Sequence, residues 1–98
     1  MKLKQDFEYK GNDWWDWCIW IDAPDAELNE IERVEYTLHP TFPKPVREIR
    51  DRQTNFRLKT GGWGVFTIYA KAFLKNGESV DMEHRLKLFY PDGTQTFA

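Results

Sequence analysis

The stretch WWDWCIWI, residues 14–21, decides the fold. Its period is two, not 3.6. Trp15, Trp17, Ile19 and Ile21 fall on one face, and Trp14, Asp16, Cys18 and Trp20 fall on the other. The first face is continuous and apolar, as a half-buried strand requires.

The same period recurs on both sides of this stretch. Upstream, Leu3, Phe7 and Tyr9 mark a first strand. Downstream, DAPDAELNE (22–30) reads as a loop or short helical turn, because Pro24 breaks pairing. In IERVEYTLH (31–39), Val34, Tyr36 and Leu38 alternate with polar residues, and β-branched and aromatic side chains favour a strand over a helix. Val46 to Ile49 reads as a short edge strand beside prolines that cannot donate to a ladder. Phe56 and Leu58 suggest another short strand, and TGGWG (60–64) a loop. VFTIYAKAFL (65–74) puts Phe66, Ile68, Ala70 and Ala72 on one face. Asn76-Gly77 predicts a type I′ hairpin turn. SVDMEHRLKLFY (79–90) then aligns Val80, Met82, His84, Leu86 and Leu88, and Pro91-Asp92-Gly93 turns the chain again. The expected fold is all-β, an immunoglobulin-like β-sandwich of seven or eight antiparallel strands forming a single domain over residues 1–98.

A chain of 98 residues must build its core from large side chains, and five Trp, seven Phe and four Tyr supply them. A net charge of −2, with no basic block, argues against an electrostatic grip on nucleic acid. The N-terminal MKLKQDFEYK carries no apolar signal core, and no apolar run approaches a membrane span, so the expected setting is cytoplasmic. Cys18, the single cysteine, reads as a buried, inert thiol. One cysteine and two separated histidines do not make a zinc site, and no metal or cofactor is expected. Catalysis has little footing either: Ser79 is the only serine, and it flanks a hairpin. His84 reads as a strand-face histidine with one hydrogen bond.

Two segments stand apart, His39-Pro40-Thr41-Phe42-Pro43 and Thr60-Gly61-Gly62-Trp63-Gly64. Each puts a large aromatic ring outside regular sheet, where it either plugs the sandwich end or lines a binding site. Trp14 and Trp15 pose the same choice. LHPTFPKP (38–45) followed by GGWGVF (61–66) resembles the paired signature of YEATS domains. Asp16-Trp17 and the strand from Ile31 to Leu38 are similar to further parts of that family, and the resemblance runs over roughly residues 11 to 90. The short chain, the WWDWCIW strand and the absence of a basic surface look like the prokaryotic branch.

The resemblance implies a non-catalytic reader of acylated lysine on a protein or peptide. On it, Phe42 and Trp63 are the walls of an aromatic slot, and Thr41 is the hydroxyl that hydrogen-bonds the acyl amide. His39 shapes the loop, and the backbone between Gly62 and Gly64 donates to the acyl carbonyl. Trp14 or Trp15 is a further pocket ring. Pro40 and Thr41 depart from the commoner polar residue and serine of the family. An alternative is a protein–protein interaction domain within a multidomain prokaryotic sensor or conflict system, its aromatic loops docking a partner or fused domain. A carbohydrate-binding sandwich is a third reading, since sugar sites also use exposed indoles.

Overall fold

The computed structural model describes residues 1–97. Seven antiparallel strands form two sheets. β1 (Lys2–Gly11), β2 (Trp14–Asp22) and β5 (Leu58–Gly62) make one, in the order β1-β2-β5. β3 (Ile31–Thr37), β4 (Val46–Ile49), β6 (Thr67–Leu74) and β7 (Ser79–Arg85) make the other, in the order β4-β3-β6-β7. A short helix α1 (Asp25–Leu28) bridges β2 and β3. The period-two faces point where the sequence placed them. Trp15, Trp17, Ile19 and Ile21 from one sheet meet Val34, Tyr36, Ile68, Ala70 and Ala72 from the other in a single core. Gln5 ties β1 to the chain after β7, donating to the Lys87 carbonyl at 2.6 Å and accepting from the Lys87 N–H at 2.8 Å.

Four expectations change. Phe56 is not in a strand: both Asn55 and Phe56 have left-handed backbones (φ 58° each), turning the chain out of the 3₁₀ turn Arg52–Thr54. That conformation is costly for a Phe, and the surroundings hold it. The ring is fully buried, its N–H donates to the Asp51 carbonyl at 2.9 Å, and its carbonyl accepts from the buried Tyr36 hydroxyl at 2.7 Å. Burial pushes the Tyr36 phenol well above its usual range. Second, Thr60, Gly61 and Gly62 are strand rather than loop, paired with Trp17, Asp16 and Trp15 of β2. Glycine allows this close pairing, because a Cβ at Gly61 would stand 2.9 Å from the Trp15 carbonyl oxygen. Third, the β6–β7 hairpin turns on Gly77 alone (φ 93°), with Asn76 at negative φ, so the turn is not type I′. Its Gly77 N–H donates to the Leu74 carbonyl at 3.1 Å, the pattern of a type I turn closed by a left-handed glycine. Fourth, Cys18 is only half-buried, because its strand position faces outward between Asp16 and Trp20.

Candidate functional site

The site begins where β3 ends. Leu38 is buried, and its N–H donates to the Pro45 carbonyl at 2.8 Å, closing the base of the loop 39–45. Inside that base the Phe42 N–H donates to the His39 carbonyl at 3.0 Å, a tight turn. Arg47, in β4, clamps the far side: its Nε donates to the Lys44 carbonyl at 2.7 Å and its Nη2 to the Pro43 carbonyl at 2.8 Å. Three prolines lower the freedom this loop loses on folding. The loop is held at its base and at its side.

His39 and Thr41 form a local pair. Thr41 N–H donates to His39 Nδ1 at 3.3 Å, so Nδ1 carries the lone pair. The Thr41 hydroxyl lies 2.9 Å from the same nitrogen, and in the tautomer that leaves Nδ1 unprotonated it donates to that nitrogen. The oxygen's own lone pairs are then left for an incoming N–H donor. Phe42 lies half-buried behind them. Its ring is tilted on Phe66 at 5.3 Å and edge-on to Trp17 at 6.4 Å. It therefore joins the core on one side and keeps its other side outward.

β5 supplies the opposite wall. The strand ends at Gly62, and Trp63 swings out with 64% of its surface exposed. Between the two walls lies a cleft of about 690 Å³, lined among others by Trp14, His39, Thr41, Phe42, Gly62, Trp63 and Gly64. These are the sequence-derived site residues, with one exception. Trp15 is completely buried and is absent from the lining. Its indole packs edge-on against Tyr90 at 4.9 Å and donates through Nε1 to the Phe89 carbonyl at 2.9 Å. Alternation along β2 explains the split: Trp15 points into the sandwich, so Trp14 points out and reaches the cleft, where it is 44% exposed.

The sequence reading missed Phe66 and Arg47 as cleft residues. Phe66, the last residue of GGWGVF, reads from sequence only as sharing a face with Ile68, Ala70 and Ala72. Its ring lies between the core and the cleft, edge-on to both His39 (6.1 Å) and Trp17 (6.0 Å). Nothing in the alternation of β4 marks Arg47. Trp17, next to this wall, is 3% exposed, and its Nε1 has no hydrogen-bond partner among the described residues. That atom stands 3.9 Å from where a Cβ on Gly62 would be. A hollow of similar volume on the outer face of β1-β2-β5, bordered by Asp6, Glu8, Asp16 and Lys59, is an open furrow between outward side chains. His84 is away from the cleft. Its Nε2 lies 2.7 Å from Gln5 Oε1, and burial, then the Lys87 charge, lowers its pKa. Among the described residues no cluster of three His, Cys, Asp or Glu is placed to hold a metal, and no helix is long and apolar enough to cross a membrane.

A family model described as the prokaryotic YEATS domain matches residues 15–87. The AF-9 homolog of Saccharomyces cerevisiae is 35% identical over 77 residues, covering 74% of this chain and 33% of the relative. The transcription initiation factor TFIID subunit 14 of Schizosaccharomyces pombe is 39% identical over 49 residues, covering 50% of this chain and 20% of the relative. The chain thus matches about a third or less of the length of these relatives. Among solved structures, the Yaf9 YEATS domain recognising an H3K122suc peptide superposes with a TM-score of 0.67 at 28% identity, over 97% of this chain and 72% of the other. The Yaf9 YEATS domain bound to H3K27ac gives the same score, identity and coverage.

Proposed function

Because the chain belongs to the prokaryotic YEATS domain family, we propose that its cleft binds acylated lysine on a peptide or protein, as a reader without catalysis. The observation that carries this is the cleft itself: Phe42, Thr41 and His39 on one side and Gly62, Trp63 and Gly64 on the other. One solved relative with this fold, the Yaf9 YEATS domain, is seen with two acylated peptides, H3K122suc and H3K27ac, which supports the reading.

The chemistry follows from the parts. An ammonium would be costly to place between rings with no carboxylate, whereas acylation removes the charge. The resulting amide is flat and lies between Phe42 and Trp63. The Thr41 oxygen accepts from the amide N–H, and the backbone N–H of Trp63 donates to the acyl carbonyl. Trp14 extends the apolar wall. Each further buried methylene contributes at most about 0.8 kcal/mol. Crotonyl over acetyl therefore gives roughly tenfold if its two extra carbons are buried. The same proposal places the domain in the cytoplasm, joined to other domains of a longer protein.

The test is an NMR titration with unmodified, acetyl-, propionyl- and crotonyl-lysine peptides. The acylated peptides should shift the amides of residues 39–43 and 60–64, and the unmodified one should not. Thr41→Val keeps the shape, removes the hydroxyl acceptor and should weaken binding several-fold. If every peptide leaves both segments unmoved up to millimolar concentration, the reader function is wrong.

A further inference from the structure

The geometry points to Arg47 as a specificity-determining residue that selects an acylated partner carrying a carboxylate close to the modified lysine. This rests on the acyl-lysine reading above and narrows it. Arg47 lines the cleft. One edge of its guanidinium, Nε and one N–H of Nη2, is occupied by the Lys44 and Pro43 carbonyls. The other edge, on Nη1 and Nη2, has no partner among the described residues, and none of their carboxylates lies within 4 Å of the group. Every other arginine that pairs by salt bridge does so elsewhere: Arg33 with Glu48, Arg50 with Glu48 and Glu32, Arg52 with Asp25.

The occupied edge fixes the plane of the group, and the free edge is a pre-oriented fork for a carboxylate. Two carbonyls soften the charge without neutralising it. No Asp or Glu lines the cleft. Asp16, whose Oδ1 stands 3.1 Å from the place of a Gly61 Cβ, is already engaged by Trp14 Nε1 at 3.3 Å and Lys10 Nζ at 3.9 Å. The cleft is thus a cationic spot on a chain of net charge −2. An acidic ligand suits it better than a basic tail. The carboxylate has two possible sources: an Asp or Glu flanking the acyl-lysine, or the end of a dicarboxylic acyl group such as succinyl.

Four synthetic peptides separate the sources. They are acetyl-lysine flanked by alanine, by glutamate or by lysine, and succinyl-lysine flanked by alanine, all measured by fluorescence anisotropy at low salt. Wild type should bind at least one carboxylate-bearing peptide about fivefold more tightly than the neutral acetyl peptide, and the lysine-flanked peptide more weakly. Gain with glutamate assigns the flank, and gain with succinyl assigns the acyl terminus. Arg47→Gln should erase that gain, so that carboxylate-bearing and neutral acetyl peptides bind with equal affinity, whatever loss of the loop clamp costs all of them. Arg47→Lys, which keeps the charge but loses the fork, should keep only part of it. Raising NaCl on wild type should shrink the gain and spare the neutral peptide, an arm that needs no variant to fold. Equal affinity of wild type for all four peptides overturns the inference. So does an Arg47→Gln that weakens all four alike, because Arg47 would then be only the loop's clamp. Failure of wild type to bind any of the four removes the reader function itself, and this inference with it.

Discussion

A Cβ built on Gly61 would lie 3.0 Å from the indole Nε1 of Trp14. The ring that borders the cleft from β2 therefore rests on a bare stretch of β5. The same Cβ would meet the Trp15 carbonyl oxygen at 2.9 Å, a backbone atom that cannot swing aside. Gly62 differs, since its nearest neighbour, the Cζ of Phe42, would be 3.6 Å away, an ordinary contact.

The two glycines should respond differently to alanine. Gly61→Ala forces β2 and β5 apart and should cost about 1–3 kcal/mol in urea unfolding. Gly62→Ala should leave stability within about 0.5 kcal/mol while weakening acyl-peptide binding, because the added methyl sits against Phe42 at the cleft. Equal stability losses would show that the strand pairing tolerates what the geometry forbids.

The exposed and buried tryptophans give a second contrast. Trp63→Ala should lower stability by less than about 1 kcal/mol and abolish ligand-induced shifts. Trp15→Ala empties a fully buried site and should cost about 3–5 kcal/mol. A large loss at Trp63 would mean that its ring closes the core instead of walling the cleft.

Trp15 and Trp17 are both core indoles, but only one has an acceptor. Trp15→Phe strands the Phe89 carbonyl that now accepts from Nε1. Trp17→Phe removes a donor that has no partner among the described residues. Trp15→Phe should therefore be the more destabilising by about 1–2 kcal/mol, measured by parallel denaturant titrations. The reverse order would imply that an ordered water or a ligand atom satisfies Trp17.

His84 sets a pH dependence. Burial and the nearby Lys87 hold its pKa below the ordinary value. The unfolded chain then takes up the proton first as pH falls, so stability is full above about 6.5 and declines as pH drops below it toward the folded pKa. Thermal melts of wild type should show this decline before the carboxylates titrate below about pH 5. His84→Gln should flatten it. An unchanged slope in the variant would assign the effect to another group.

The strands were legible because each buries one face against a single core, and that imposes period two directly on the chain. The faces of β2, β3 and β6 follow from alternation alone, and the edge strand Val46–Ile49 follows from the prolines beside it. Phe56 and the glycines of β5 did not, since their conformations answer to neighbours distant in sequence. Phe56 turns left-handed to serve the Tyr36 hydroxyl, and Gly61 joins the sheet because Trp14 and Trp15 need its space. The cleft loops were visible as aromatic rings among prolines and glycines. Their partnership was implied only by the family resemblance, because nothing local connects residue 42 to residue 63.

The sequence by itself determined an all-β sandwich and its core faces, and it singled out His39, Thr41, Phe42 and Trp63 as a site only through the family resemblance. Only the tertiary structure decided that Trp14 borders the cleft while Trp15 fills the core, and that Arg47, clamped to the loop carbonyls, lines the cleft as well. The reason is physical. Alternation fixes which residues share a face, but which face looks into a core or out onto a cleft depends on where the other sheet packs. The partners of a long, charged side chain depend on loops folded against it.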